Sequence, residues 1–226
     1  MACLIDGKAL AARIQDDLAA EVRAVVERRG RPPGLGVVLV GDNPASRVYV
    51  NMKKKACAKL GIHSAEATLS RDASQDEVLA HVARYNADPA IDGILVQLPL
   101  PAQVDTRVVL ETISPDKDAD CFNPANVGRL FLGQGTLFPC TPLGCIRLLE
   151  SISFDVVGKR VVVVGRSNIV GKPLATMLML RHATVTICHT RTRDLPDEVG
   201  RADLVVAAAG VPAGIKGDWI KPGAVV

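Results

Sequence analysis

The stretch VVVVGRSNIVGKP, from Val161 to Pro173, constrains the fold of this chain more than any other. Four consecutive valines read as a fully buried strand, of the kind a parallel sheet covers on both faces. A glycine-punctuated turn follows, and then an apolar helical run from Val170 to Leu180. Strand, glycine turn and helix together make a phosphate cradle. Glycine lets the backbone approach a pyrophosphate, and the helix N-terminus offers unpaired N–H groups and a positive dipole end. A nucleotide cofactor is therefore expected in the second half of the chain. The glycines Gly165 and Gly171 are spaced G-x5-G and not G-x-G-x-x-G, so on this motif alone an ordinary strand-to-helix turn stays open.

The end of the next expected strand, Ala183–Cys188, narrows the cofactor. An NAD-binding unit usually carries an acid there for the ribose hydroxyls. This chain has His189, Thr190, Arg191 and Arg193 instead, with Arg166 inside the turn itself. Cations suit a 2′-phosphate, so NADP is expected over NAD.

The bulk numbers leave room for two modest domains in 226 residues. With 48% hydrophobic residues but only 3% aromatics, aliphatic and alanine contacts must fill the cores. The net charge of +3 is spread along the chain, and Lys53, Lys54 and Lys55 read as a solvated helix face, so neither a nucleic-acid nor a membrane partner is expected. The six cysteines, at positions 3, 57, 121, 140, 145 and 188, form no CxxC pair. That spacing points to no metal site and no disulfide framework, and scattered free thiols fit a cytoplasmic protein. The N-terminus lacks the pattern of a signal peptide, and no stretch reaches the ~20 apolar residues of a membrane helix.

Periodicity predicts an α/β chain. Helices are expected at 8–29, 45–60 and 74–85, the last opened by a Ser74/Glu77 capping box. Strands are expected at 36–40, 62–69 and 93–98. Residues 114–142, rich in Pro, Gly, Asn and Asp, read as a bridge between two domains and partly as functional loop, with Thr141-Pro142 capping a helix to about Ser151. The pattern restarts at Lys159 with strand, glycine turn, helix, and strands at 183–188 and 203–208. Residues 222–226 look like the start of a further strand, so the nucleotide unit is expected to be either minimal or C-terminally incomplete. Alternating strands and helices argue for parallel sheets.

Three further segments carry candidate chemistry. Tyr49 and Lys53 share a helix face at i and i+4, beside an expected core stripe of Val48, Met52, Ala56 and Leu60. A lysine at such a border is partly withdrawn from water and suited to acid–base work, although a surface lysine packed on a tyrosine ring has the same letters. The Tyr-x-x-x-Lys spacing also marks short-chain dehydrogenases, but there it lies downstream of the glycine turn, so that reading is rejected. Gln97 lies near the end of an apolar strand, where open α/β sheets bind ligands; a glutamine satisfied by loop backbone is the alternative. The loop Asp116-Lys117-Asp118-Ala119-Asp120 suggests cation binding or a ligand with N–H donors; a solvated acidic turn is the plainer alternative.

GDNPASRVYVNMKKKACAKLGI, DGILVQLPLP, PDKDADCFNPANVGRL, PCTPLG, GRSNIVGKP and GDWIKPGA, in this order, span essentially the whole chain. Together they resemble the bifunctional methylenetetrahydrofolate dehydrogenase/methenyltetrahydrofolate cyclohydrolase family. The resemblance implies an N-terminal folate-binding catalytic domain (1–121) and a Rossmann-like NADP-binding domain (122–226), with a cleft between them. It implies oxidation of 5,10-methylenetetrahydrofolate with NADP, then hydrolysis to 10-formyltetrahydrofolate, by what is usually a homodimer. Lys53 is similar to the family's essential lysine, Gln97 would hydrogen-bond it, Tyr49 would stack on the aminobenzoyl ring, and Asp120 would accept hydrogen bonds from the pterin. Gly165, Arg166, Ser167 and Thr190 would hold the cofactor, beside Arg191. The family continues beyond the equivalent of Val226, which leaves a binding-only fragment, or a member with one of the two activities, as alternatives. It also usually has glycine where this chain has Cys121, and a side chain there is expected to crowd the loop or disfavour a positive φ. Many bacterial relatives carry histidine where this chain has Asn123.

Overall fold

A computed structural model of the chain describes residues 3–226, which form two compact units, Asp6–Asn126 and, chiefly, Val127–Val226. The first unit runs α1 (Gly7–Arg29), β1 (Gly34–Val40), α2 (Pro44–Leu60), β2 (His63–Leu69), α3 (Gln75–Ala87), β3 (Gly93–Val96), α4 (Thr106–Thr112) and the start of α5 (Pro124–Phe131). Its three strands pair in parallel in the order β2-β1-β3. The central strand β1 is buried on both faces, which is why its sequence, GLGVVLV, shows an apolar run and not an alternation. Val38, Val40, Ile94 and Val96 pack with Val78, Val82 and Tyr85 of α3 in one core. Val37, Leu39 and Leu95 meet Val50 of α2 in another.

The second unit continues with α6 (Cys140–Ser151), β4 (Arg160–Val164), α7 (Gly171–Met179), β5 (Thr184–Cys188), α8 (Leu195–Gly200) and β6 (Leu204–Ala207). Its parallel sheet has the order β5-β4-β6. The four valines of β4 divide by alternation. Val161 and Val163 pack with Ile146, Leu174 and Leu178, whereas Val162 and Val164 pack with Cys188 and Val199. The strand expected at 222–226 is present as a parallel bridge from Val225 to Leu204.

Several expectations change. The stretch 114–142 is not a bare bridge: it holds a 3-10 turn at Pro115–Lys117, α5 and the start of α6. Its Pro, Asn and Gly letters conceal α5, where Asn123 and Pro124 are helix-starting residues and the Ala125 N–H donates to Asn123 Oδ1 at 2.9 Å. Thr141 does not cap α6; the N-cap is Pro139, without a side-chain bond, and Thr141 lies inside the helix. The short helices α4 and α8 were not expected from the periodicity, being seven and six residues long. Residues 122–126 group with the first unit, five residues beyond the division expected after 121. Side-chain bonds tie them there: Asn123 Nδ2 donates to Ile113 O at 3.0 Å and Asn126 Nδ2 to Asp118 Oδ2 at 2.9 Å.

The stripe assigned to α2 is also displaced. Val48 and Met52 are 56% and 61% exposed, and the buried face is Ser46, Val50, Cys57 and Leu60. Lys53 falls on that face, four and three residues from Cys57 and Val50. The lysine is therefore part of the inward stripe and not its border.

Candidate active site

The local sequence fixes the start and stop of α2, and so the position of Lys53. Asn43 Oδ1 accepts the N–H groups of Ala45 and Ser46, Pro44 opens the first turn, and Gly61 ends the helix at φ 73°. Lys53 is half-buried, with its Nζ 3.2 Å from Gln97 Oε1. Gln97 follows β3 directly and extends its ladder, donating its N–H to Val38 O at 2.9 Å. Gln97 Nε2 donates to Leu98 O at 2.8 Å, which assigns the amide so that its oxygen faces the ammonium. The glutamine is thus a rigid acceptor at the carboxyl end of the sheet, and Lys53 is its donor. One turn below, burial pushes the Cys57 thiol up from its ordinary pKa.

Tyr49 is 58% exposed, one turn before Lys53 and beside exposed Val48 and Met52. That gives a bare apolar strip next to the lysine. Asp120 is half-buried in the loop that runs along β3: Asp118 forms a parallel bridge with Ile94, and two residues further on lie Val96 and Asp120. The acids of this loop differ in exposure. Asp116 is exposed, Asp118 is buried, and among the described residues no group of His, Cys, Asp or Glu is arranged to hold a metal ion.

The glycine cradle lies in the second unit. Gly165 has φ 131°, and a Cβ there would stand 2.4 Å from Ala208 O. A Cβ on Gly171 would stand 2.2 Å from Gly165 O. Both glycines are therefore demanded by close approach of the backbone to itself. Ser167 Oγ accepts the N–H groups of Val170 and Gly171 at 3.1 and 3.3 Å, shaping the turn into α7. A cavity of about 740 Å³ opens here, lined by Gly165, Arg166, Ser167, His189 and Thr190, and across it by Ala208–Gly210. That last segment was missed in the sequence; its run of small residues after an apolar strand is the available signal. Arg191 is exposed beside the cavity. Its N–H donates to His189 Nδ1 at 3.1 Å, while the His189 N–H donates to Thr192 Oγ1 at 2.8 Å. His189 accordingly braces the loop that carries Thr190 and Arg191.

A glycine cradle in one parallel α/β unit and a lysine–glutamine pair at the sheet end of another define a two-domain, nucleotide-dependent enzyme. The chain belongs to the tetrahydrofolate dehydrogenase/cyclohydrolase family: residues 5–120 match its catalytic domain and residues 139–226 its NAD(P)-binding domain. It is 57% identical to the bifunctional protein FolD 2 of Geobacter metallireducens, over 100% of this chain and 79% of that one. It is 59% identical to the bifunctional protein FolD of Pelobacter propionicus, over 100% of this chain and 80% of that one. A solved structure from Trypanosoma brucei, a methylenetetrahydrofolate dehydrogenase-cyclohydrolase complexed with NADP and an inhibitor, aligns with TM-score 0.95 and 41% identity over 99% of this chain and 77% of that one.

Proposed function

We propose that the protein oxidises 5,10-methylenetetrahydrofolate with NADP and hydrolyses the methenyl product to 10-formyltetrahydrofolate. The observation that carries this reading is the 3.2 Å contact from Lys53 Nζ to Gln97 Oε1 in the family's catalytic domain. NADP, when bound, supplies the hydride acceptor. The protein's part in oxidation is orientation: Tyr49 presents a ring for the aminobenzoyl group, Asp120 accepts N–H groups of the pterin, and both leave the reacting carbon clear. Hydrolysis requires water to attack an iminium-like carbon and a proton to be taken up and returned. Lys53 Nζ is the group for that proton, and the fixed oxygen of Gln97 orients it.

The cradle suits a dinucleotide: the cavity lined by Gly165, Arg166, Ser167, His189 and Thr190 opens at the glycine turn that leads into α7. Gly165, Arg166, Ser167 and Thr190 would hold the cofactor, and Arg166 with Arg191 would face the 2′-phosphate, with no acid at the strand end to favour NAD. The six free cysteines support a cytoplasmic protein. No helix among the described residues is long and apolar enough to cross a membrane. A homodimer is supported by the family and by the open edge strand β5, where Thr184, Thr186 and Ile187 are exposed; sedimentation at about twice 23.9 kDa is the expected result.

The test is NADPH formation, followed by absorbance, with 5,10-methylenetetrahydrofolate as substrate, and separately the loss of methenyltetrahydrofolate. Lys53→Met should abolish hydrolysis while NADP still binds. Hydrolysis by Lys53→Met at the wild-type rate would overturn the role of the lysine.

A further inference from the structure

Asp118 is 1% exposed, and its carboxylate is fully engaged with neighbouring backbone and side chains. Oδ1 accepts the Phe122 N–H at 3.1 Å; Oδ2 accepts the Asn123 N–H at 2.9 Å and Asn126 Nδ2 at 2.9 Å. On its other side the same residue is tied to the sheet. It bridges Ile94, the following Ala119 N–H donates to Ile94 O at 3.2 Å, and the Cys121 N–H donates to Asp118 O at 3.2 Å. The preceding residue is anchored as well: Lys117 Nζ donates to Tyr85 O at 3.1 Å and to Asp88 O at 2.8 Å, carbonyls at the end of α3. Asp120 thus sits in the middle of a closed loop. One end is pinned to β3 by backbone, and the other is folded back onto Asp118 by a buried carboxylate.

We propose that Asp118 is a positioning residue for the folate site, holding Asp120 at the carboxyl end of β3 at a fixed height beside Gln97. The proposal rests on the reading of Asp120 as the acceptor for the pterin. Three donors on one buried carboxylate make a stiff fixture, because each bond is charge-assisted and water does not compete for it. It also explains how Cys121 is held at φ 57°, a region that a side chain disfavours. Turning the loop back at residue 121 brings the N–H groups of Phe122 and Asn123 onto the carboxylate.

The test is kinetic and uses Asp118→Asn, Asp120→Asn and the double variant, with 5,10-methylenetetrahydrofolate and NADP varied separately. Asp118→Asn should raise the folate KM by about tenfold, the size of a lost charge-assisted bond, and leave the NADP KM unchanged. In the Asp120→Asn background the same change should have no further effect on folate KM, because the group it positions is already gone. Additive losses, or an Asp118→Asn enzyme with wild-type folate KM while Asp120→Asn is impaired, would overturn the proposal. An Asp120→Asn enzyme with unchanged folate KM would instead remove the reading of Asp120 and the proposal with it. Should Asp118→Asn not fold, Asn126→Ala removes one of the three donors. It is expected to raise the folate KM about threefold at unchanged NADP KM; equal rises in both would mean a structural role alone and overturn the proposal.

Discussion

Forty-four residues separate Lys53 from Gln97 in the chain, yet their side chains meet at 3.2 Å. Each residue stands out because it interrupts a pattern, a tyrosine-spaced lysine on a helix and an amide at the end of an apolar strand, but that the two meet was implied only by the family resemblance. Asp118 was not legible as an organiser, because two of its three partners are backbone N–H groups, which every residue but proline supplies. Cys121 shows what residue identity does at a special backbone position. The chain adopts φ 57° there although it carries a side chain, and that side chain is fully buried. A β-branched side chain fits that region worst, so Cys121→Val should lower stability by about 1–3 kcal/mol relative to Cys121→Ala in urea unfolding. Equal stability of the two would mean that the loop relaxes away from positive φ. Asp92 supplies the pH dependence. The Arg31 guanidinium above all, with Arg29 and the Gly34 N–H, holds its carboxyl well below the usual carboxylate range, against the opposing effect of partial burial. A depressed folded pKa contributes stability above the unfolded value of about 4 and loses it as the pH falls further. Asp92→Asn should therefore be less stable than the wild type at pH 7, and the gap should close progressively below about pH 4. A constant gap across that range would exclude the ion pair as its source.

Helix α2 illustrates how an element can be recognised while its orientation is misjudged. The expected span 45–60 lies within one residue of the observed Pro44–Leu60, but the helix carries apolar residues on two stripes. Val48, Met52, Ala56 and Leu60 made the expected one, of which Leu60 is buried, and Val50 and Cys57 lie on the other. Which of them packs is decided by where β1 and β3 lie, and a helical repeat contains no information about that. Val50→Ala should lower stability by about 2 kcal/mol, whereas Met52→Ser should change it by no more than about 0.5 kcal/mol. The reverse order in thermal unfolding would restore the stripe expected from periodicity. The capping box of α3 needed no tertiary information. Ser74 Oγ accepts the Glu77 N–H at 3.2 Å and Glu77 Oε2 accepts the Ser74 N–H at 2.7 Å, as the four letters predict. Elements shorter than two turns, such as α8, escaped because too few residues sample the period.

At the scale of the whole molecule, four hydrophobic clusters, two in each unit, and two candidate sites share one chain, the lysine–glutamine pair in one unit and the glycine cradle in the other. Gly165→Val places a branched side chain against Ala208 O, so it should abolish the rise in melting temperature produced by NADP. A retained NADP shift would mean that the cradle does not hold the cofactor. The sequence by itself determined the class of fold, the parallel sheets and the place of the nucleotide turn. Those follow from period, buried runs and glycine, which act over a few neighbouring residues. It also determined the family, through six segments in a fixed order. Only the tertiary structure decided which face of α2 turns inward, that Asp118 is buried, and that residues 122–126 close onto the first unit. Each of these depends on burial and hydrogen-bond partners brought together by the sheet from distant parts of the chain. No local pattern encodes what a residue will meet there.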